Sequence, residues 1–254
     1  MDTNICKLCK DSIADKKNSH IISKFIGKEL FRSNGKKLAA LQIEREKSRY
    51  IQSIPTEDFI FCSNCEKKFS VLETLIARKF LFVKNYKNNK DLYKEETFFS
   101  NKILQVLDIC PLIYKLFIYS LIWRTSISSH PTLKGFFLNE KLNEELRFFL
   151  SSNLCMTETE LKSAEVKFIP TYHFFIIQPE STKERGVFSL SSVDEDTHIM
   201  YLVDFAIVFF SNENKVSNTY KFVSNNQNNL VLFLLADSEK WLNFNKFWVK
   251  RLQS

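Results

Sequence analysis

Two short cysteine pairs, Cys6-Lys-Leu-Cys9 and Cys62-Ser-Asn-Cys65, constrain this chain more than any other feature. Two residues between thiolates let one tight turn present both sulfurs to a metal, and two such turns complete a tetrahedron. Met1 to Lys10 contains no apolar export segment, so a cytoplasmic location with reduced thiols is expected. The four sulfurs of Cys6, Cys9, Cys62 and Cys65 then read as ligands of a structural Zn²⁺. The alternative is a redox dithiol beside an unrelated pair. The 52 residues between the pairs exceed what a compact zinc ribbon needs, so they are expected to fold out as an insertion. Cys110 and Cys155 stand alone within apolar patterns and are expected to be buried thiols.

Glycine excludes several function classes. The chain has only four in 254 residues, too scattered for a dinucleotide fingerprint or a P-loop, and no serine lies in a G-x-S-x-G elbow. Charge is uneven. The net formal charge is +7, but residues 1–50 hold +6 of it and residues 151–254 hold −2. The cysteine-rich end is thus the part that would attract a phosphate backbone. Ile103–Trp123 is the most membrane-like stretch, yet Asp108, Pro111 and Lys115 interrupt it. A buried helix pair is expected there, and no membrane association.

Periodicity predicts an α+β chain in three regions, 1–83, 84–158 and 159–254. In the first, apolar Phe59–Phe61 reads as a strand entering the second cysteine pair. Phe69, Leu72, Leu75, Ile76 and Phe80 then recur at steps of three and four and predict an amphipathic helix from Ser63 to Val83. Lys84–Lys94 is a polar linker. Phe98–Asp108, Pro111–Ser128 and Glu140–Ser151 are expected as three helices, with Pro111 in a first turn and Asn139 as a cap. Arg124 reads as a buried ion-pair partner or a phosphate ligand. The last region is rich in Val, Ile, Phe and Tyr, with turn residues between short runs. It predicts strands at 166–177, 187–190, 199–210, 219–223 and 230–235 in an antiparallel sheet, closed by a helix from Ser238 to Leu252. His130, His173 and His198 are expected to be structural or surface histidines.

Within the first region the order is Cys6-x-x-Cys9, Ser19-His20-Ile21-Ile22-Ser23-Lys24-Phe25, and Ile60-Phe61-Cys62-x-x-Cys65-Glu66. This arrangement resembles zinc-stabilised HNH (ββα-metal) endonuclease-like bacterial proteins, over about residues 5–75. The resemblance implies a treble-clef zinc module, with Cys6, Cys9, Cys62 and Cys65 as its ligands. It implies His20 as the general base that activates water. Glu66 falls where such proteins often carry their last histidine, and a carboxylate there suits Mg²⁺ or Mn²⁺. On a helix Glu73 would share a face with Glu66, as a further ligand or orienting group. The alternative for both is a solvated helix carboxylate. Three positions depart from the pattern: Glu57 and Asp58 occupy the region of the usual Asn, Ser19 replaces an acidic residue, and Ser23 stands where Pro is usual.

The resemblance implies a metal-dependent nuclease acting on DNA, in a bacterial defence or mobile-element setting. The alternative is a zinc-dependent nucleic-acid- or protein-binding module with a degenerate site. In the nuclease reading the helical and sheet regions supply DNA contacts, a protein partner contact or, through the C-terminal half, a homo-oligomer interface. A structural or regulatory subunit built on the C-terminal sheet is a third reading.

Overall fold

The structure, a computed structural model, describes residues 4–26, 32–33, 36–37, 40–44, 47–51, 54–83, 90–99, 101–165, 169–180, 188–202, 205–226 and 230–253; over 32–51, 80–83 and 247–253 it describes the backbone alone. The chain order is β1 (Ser19–His20), β2 (Arg32–Ser33), β3 (Lys36–Lys37), β4 (Ala40–Glu44), β5 (Lys47–Ile51), β6 (Thr56–Glu57) and α1 (Ser63–Val83). Then come β7 (Tyr93–Phe98), β8 (Asn101–Val106), α2 (Pro111–Ile127), α3 (Glu140–Asn153) and α4 (Glu158–Ser163). The remainder is β9 (His173–Pro179), β10 (Phe188–Ser192), β11 (Thr197–Leu202), β12 (Ala206–Phe210), α5 (Asn218–Lys221), β13 (Leu232–Ala236) and α6 (Ser238–Gln253).

Nine strands form one mixed, mostly antiparallel sheet in the order β5-β4-β10-β11-β12-β9-β13-β8-β7. Among the described residues, only β4–β10 and β9–β13 pair in parallel. The long gap between the cysteine pairs is therefore put to use. It makes the β2–β3 hairpin, adds β4 and β5 to one edge of this sheet, and returns through β6. The opposite edge is the β7–β8 hairpin.

The period of two along β11 assigns its faces. Met200 and Leu202 join the main core, while Ile199 and Tyr201 pack with Val208 and with Trp241 of α6 on the far side. Both faces are covered, so every residue of β11 is buried. On the near side lies α2, buried continuously from Ile113 to Thr125. Its Tyr119 ring meets Phe174 of β9 and Phe209 of β12 edge-on, while Phe117 stacks on Phe25. Trp123 packs against Phe61 and Phe69. Thus α2 is the middle layer between the sheet and the cysteine-rich segment; of the expected helix pair it is the one helix, with Pro111 in its first turn, and the first member is strand β8. No described helix is long and apolar enough to cross a membrane.

Several local expectations are corrected. Within Phe98–Asp108 the regular element is β8, not a helix, and Phe99 begins the hairpin turn with a left-handed φ of 52°. The segment 219–223 contributes to the short helix α5 rather than to a strand, and Ile199–Phe210 is two strands, β11 and β12. Phe59–Phe61 is a bend, with Phe59 at φ 58°, and the short strand lies earlier, at β6. Cys110 is exposed and Cys155 half-buried, so neither is a core thiol. Asn139 caps α3 by accepting from Leu142 N, as expected. Asp237 caps α6, its carboxylate accepting from Lys240 N at 2.8 Å. The start of the expected linker, residues 84–89, lies outside the described residues, and its end enters β7.

Candidate metal centre and adjoining cleft

Cys6 opens a tight turn. Lys10 N donates to Cys6 O at 2.9 Å, Cys6 N donates to Ser12 O at 2.8 Å, and Lys10 takes a left-handed φ of 57°. The turn is stitched to the second pair by Lys7 N donating to Ile60 O at 2.9 Å. Cys62 precedes α1 and Cys65 lies in its first turn, where Cys65 N points at Cys62 Sγ, 3.5 Å away. The same helix end is capped from the first segment: Asp15 accepts from both the backbone N and the hydroxyl of Ser63, each at 2.6 Å. Those bonds, led by the Ser63 hydroxyl, hold the Asp15 carboxyl below its usual range. Asp15 joins the two halves of the cluster, and no spacing rule points to it.

All four sulfurs lie within 4.8 Å of one another. A tetrahedral zinc with Zn–S bonds of about 2.3 Å sets sulfurs about 3.8 Å apart, so only a small contraction is needed. Cys6, Cys62 and Cys65 are buried and Cys9 is half-buried. The Cys65 thiol donates toward Cys6 and, helped by the backbone amides of Cys9, Cys62 and Leu8, pulls the Cys6 thiol down to about 4 against the effect of burial. The same bond pushes Cys65 up, and burial raises Cys62. Protons thus crowd onto part of a cluster already shaped for thiolates, and the four residues could hold a structural metal ion.

Beside this cluster, β1 pairs antiparallel with β6, Ser19 opposite Glu57 and His20 opposite Thr56. The pairing directs His20 into a cleft of about 300 Å³. Glu66 and Glu73 line the same cleft from one face of α1, with Phe69, Lys24 and Arg124. The seven-residue spacing on a helix thus brings both carboxylates to the histidine's side. Burial lowers the His20 pKa, and Lys24 and Arg124 lower it further, against the pull of Glu73. The imidazole is therefore neutral and able to accept a proton at neutral pH. Burial raises the Glu66 carboxyl, opposed by Ser19 and by the Arg124 charge. The Ser19 hydroxyl is buried, and although it faces Glu66 it makes no bond of ordinary hydrogen-bonding geometry.

Arg124 is settled as an ion-pair partner: Nη2 lies 2.6 Å from Glu73 Oε1. Ser23, at the position where proline is usual, donates to the same oxygen at 2.8 Å. Glu57 and Asp58 are not part of the cleft. Burial works against the charge of Glu57, but three hydrogen bonds from Ser128 and Ser129 hold its carboxyl low, and Asp58 accepts from Asn18 N. His173 and His198 are buried structural histidines, and His130 is half-buried with Nδ1 accepting from Thr132 N. Compared with protein-family models, with curated proteins and with solved structures, the chain matches none.

Proposed function

We propose that the protein is an HNH-like, metal-dependent endonuclease that hydrolyses DNA phosphodiester bonds, acting in the cytoplasm in a bacterial defence setting. The observation that carries this reading is the convergence of His20, Glu66 and Glu73 on one cleft beside a four-cysteine cluster. In this reading Cys6, Cys9, Cys62 and Cys65 hold a structural Zn²⁺ in a treble-clef module. The donor set of the cleft, one imidazole and hard carboxylate oxygens beside a buried hydroxyl without a hydrogen bond, suits Mg²⁺ or Mn²⁺. Glu66, with Glu73 next to it, would hold that cation, which supplies charge stabilisation at the scissile phosphate. His20 takes the proton of the attacking water as the new P–O bond forms and the bond to the leaving oxygen breaks. Lys24, exposed at the rim, and the basic first fifty residues draw in the DNA backbone.

The test is cleavage of plasmid DNA with Mg²⁺ or Mn²⁺ by the zinc-loaded protein. His20→Ala and Glu66→Ala should each lower the rate by about 10²-fold or more while the thermal unfolding curve stays in place. DNA binding with no cutting under either metal would instead identify a non-catalytic docking module.

A further inference from the structure

Arg124 is held more completely than any other side chain at the cleft. It is 2% exposed, and its four groups of contacts radiate into different elements. Nε donates to Ser120 O at 3.2 Å within α2, and Nη1 donates to the backbone oxygen of His20 at 2.9 Å. Nη2 donates to Ser23 Oγ at 3.3 Å and pairs with Glu73 Oε1 at 2.6 Å. The guanidinium carbon sits 4.9 Å from the centroid of the Phe69 ring. One arginine therefore bridges the strand carrying His20 and the helix face carrying Glu73. Glu66, one turn below Phe69 on that face, has no ion-pair partner among the described residues and faces the buried Ser19 hydroxyl.

We propose that Arg124 is the positioning residue of this cleft: it holds Glu73 out of cation coordination and fixes the backbone at His20, leaving Glu66 as the carboxylate that binds a divalent cation. This rests on the metal-dependent reading above. Two physical effects support it. A carboxylate oxygen that accepts two charge-assisted or hydroxyl bonds must break them to ligate a cation. A buried guanidinium also repels a second cation nearby, so the arginine tempers how tightly the cleft holds metal.

The experiment is a titration of the zinc-loaded protein with Mn²⁺, read from the electron paramagnetic resonance of free Mn²⁺. Glu66→Gln should weaken binding by about tenfold or more, and Glu73→Gln by less than about threefold. Arg124→Gln frees Glu73 and removes a positive charge, so it should tighten Mn²⁺ binding by about tenfold, and adding Glu73→Gln should cancel that gain. A purely structural arginine would give looser binding on its removal. The inference is overturned if Arg124→Gln weakens Mn²⁺ binding, if Glu73→Gln costs as much as Glu66→Gln, or if the unmodified protein binds no Mn²⁺. Should Arg124→Gln fail to fold, the comparison of Glu66→Gln with Glu73→Gln decides alone. Plasmid cleavage is measured separately. The Mn²⁺ pattern without any cutting would defeat the nuclease reading and leave this assignment standing.

Discussion

His198 shows how a single buried polar side chain sets a pH limit on the fold. It is fully buried between the rings of Phe136 and Phe209, with Nδ1 2.8 Å from Ser192 Oγ. The Ser192 hydroxyl already donates to Phe137 O at 2.7 Å, so His198 Nδ1 must carry the proton and donate to it. Nε2 is then a bare lone pair with no partner among the described residues, and protonating it would place an unsatisfied charge among aromatic rings. Burial lowers the pKa from 6.5 to about 4, even though Asp194, Asp196 and the Glu195 backbone favour the charged form. The unfolded chain therefore binds the extra proton first. Stability is full above pH 6.5 and falls as pH drops from 6.5 toward 4, by up to about 3 kcal/mol from this residue. Urea unfolding at pH 7, 6 and 5 checks this, and His198→Gln should flatten the slope. An unchanged slope would mean that another group sets the acid limit.

At the scale of elements, α1 depends on its first turn more than on its length. Cys62 and Asp15 both face its free amides, and Asp15 is the one supplied from the other side of the cluster. Asp15→Ala should lower the thermal midpoint while the helix content of the folded state stays unchanged, because the cap on α1 is lost. The helix itself was legible in the sequence because Phe69, Leu72, Leu75 and Ile76 recur on one face, and all four are buried. Asn139 was legible for the same kind of local reason. β8 was not: Ile103, Leu104 and Val106 form a short apolar run, too brief for periodicity to separate strand from helix, and its partner β13 lies far along the chain. The pairing of Gln42 with Phe188 is likewise long-range and leaves no local trace. In the cleft, the 3.6-residue period placed Glu66 beside Glu73. It said nothing of Ser23, Ser19 or which partner Arg124 would choose, because those choices depend on how α2 packs across α1.

Across the whole molecule, the cysteine cluster and α2 share one core, so the candidate metal site and the central layer should fail together. Phe61, which directly precedes Cys62, lies 5.0 Å from Phe69 and 6.0 Å from Trp123, ring centre to ring centre. The first cysteine turn is also tied outward: Lys7 Nζ donates to Ile127 O at 2.7 Å, and Arg147 of α3 donates to Leu8 O at 2.8 Å. Without a metal, four thiols packed this closely must share protons, and the turn that carries Cys6 and Cys9 loses its fixed point. The disturbance reaches Trp123 first. Trp241, carried by α6 on the other face of the sheet, is insulated by the strands between them. Removing the metal with a strong chelator should therefore red-shift the emission of a variant carrying Trp241→Phe and Trp248→Phe, in which Trp123 is the one tryptophan left, and lower its thermal midpoint. In a Trp123→Phe variant the residual emission should stay nearly constant under mild chelation. Emission from Trp123 that ignores the chelator would show that the four sulfurs are not the element that organises this layer. The far side of the sheet would then have to be what holds α2 in place.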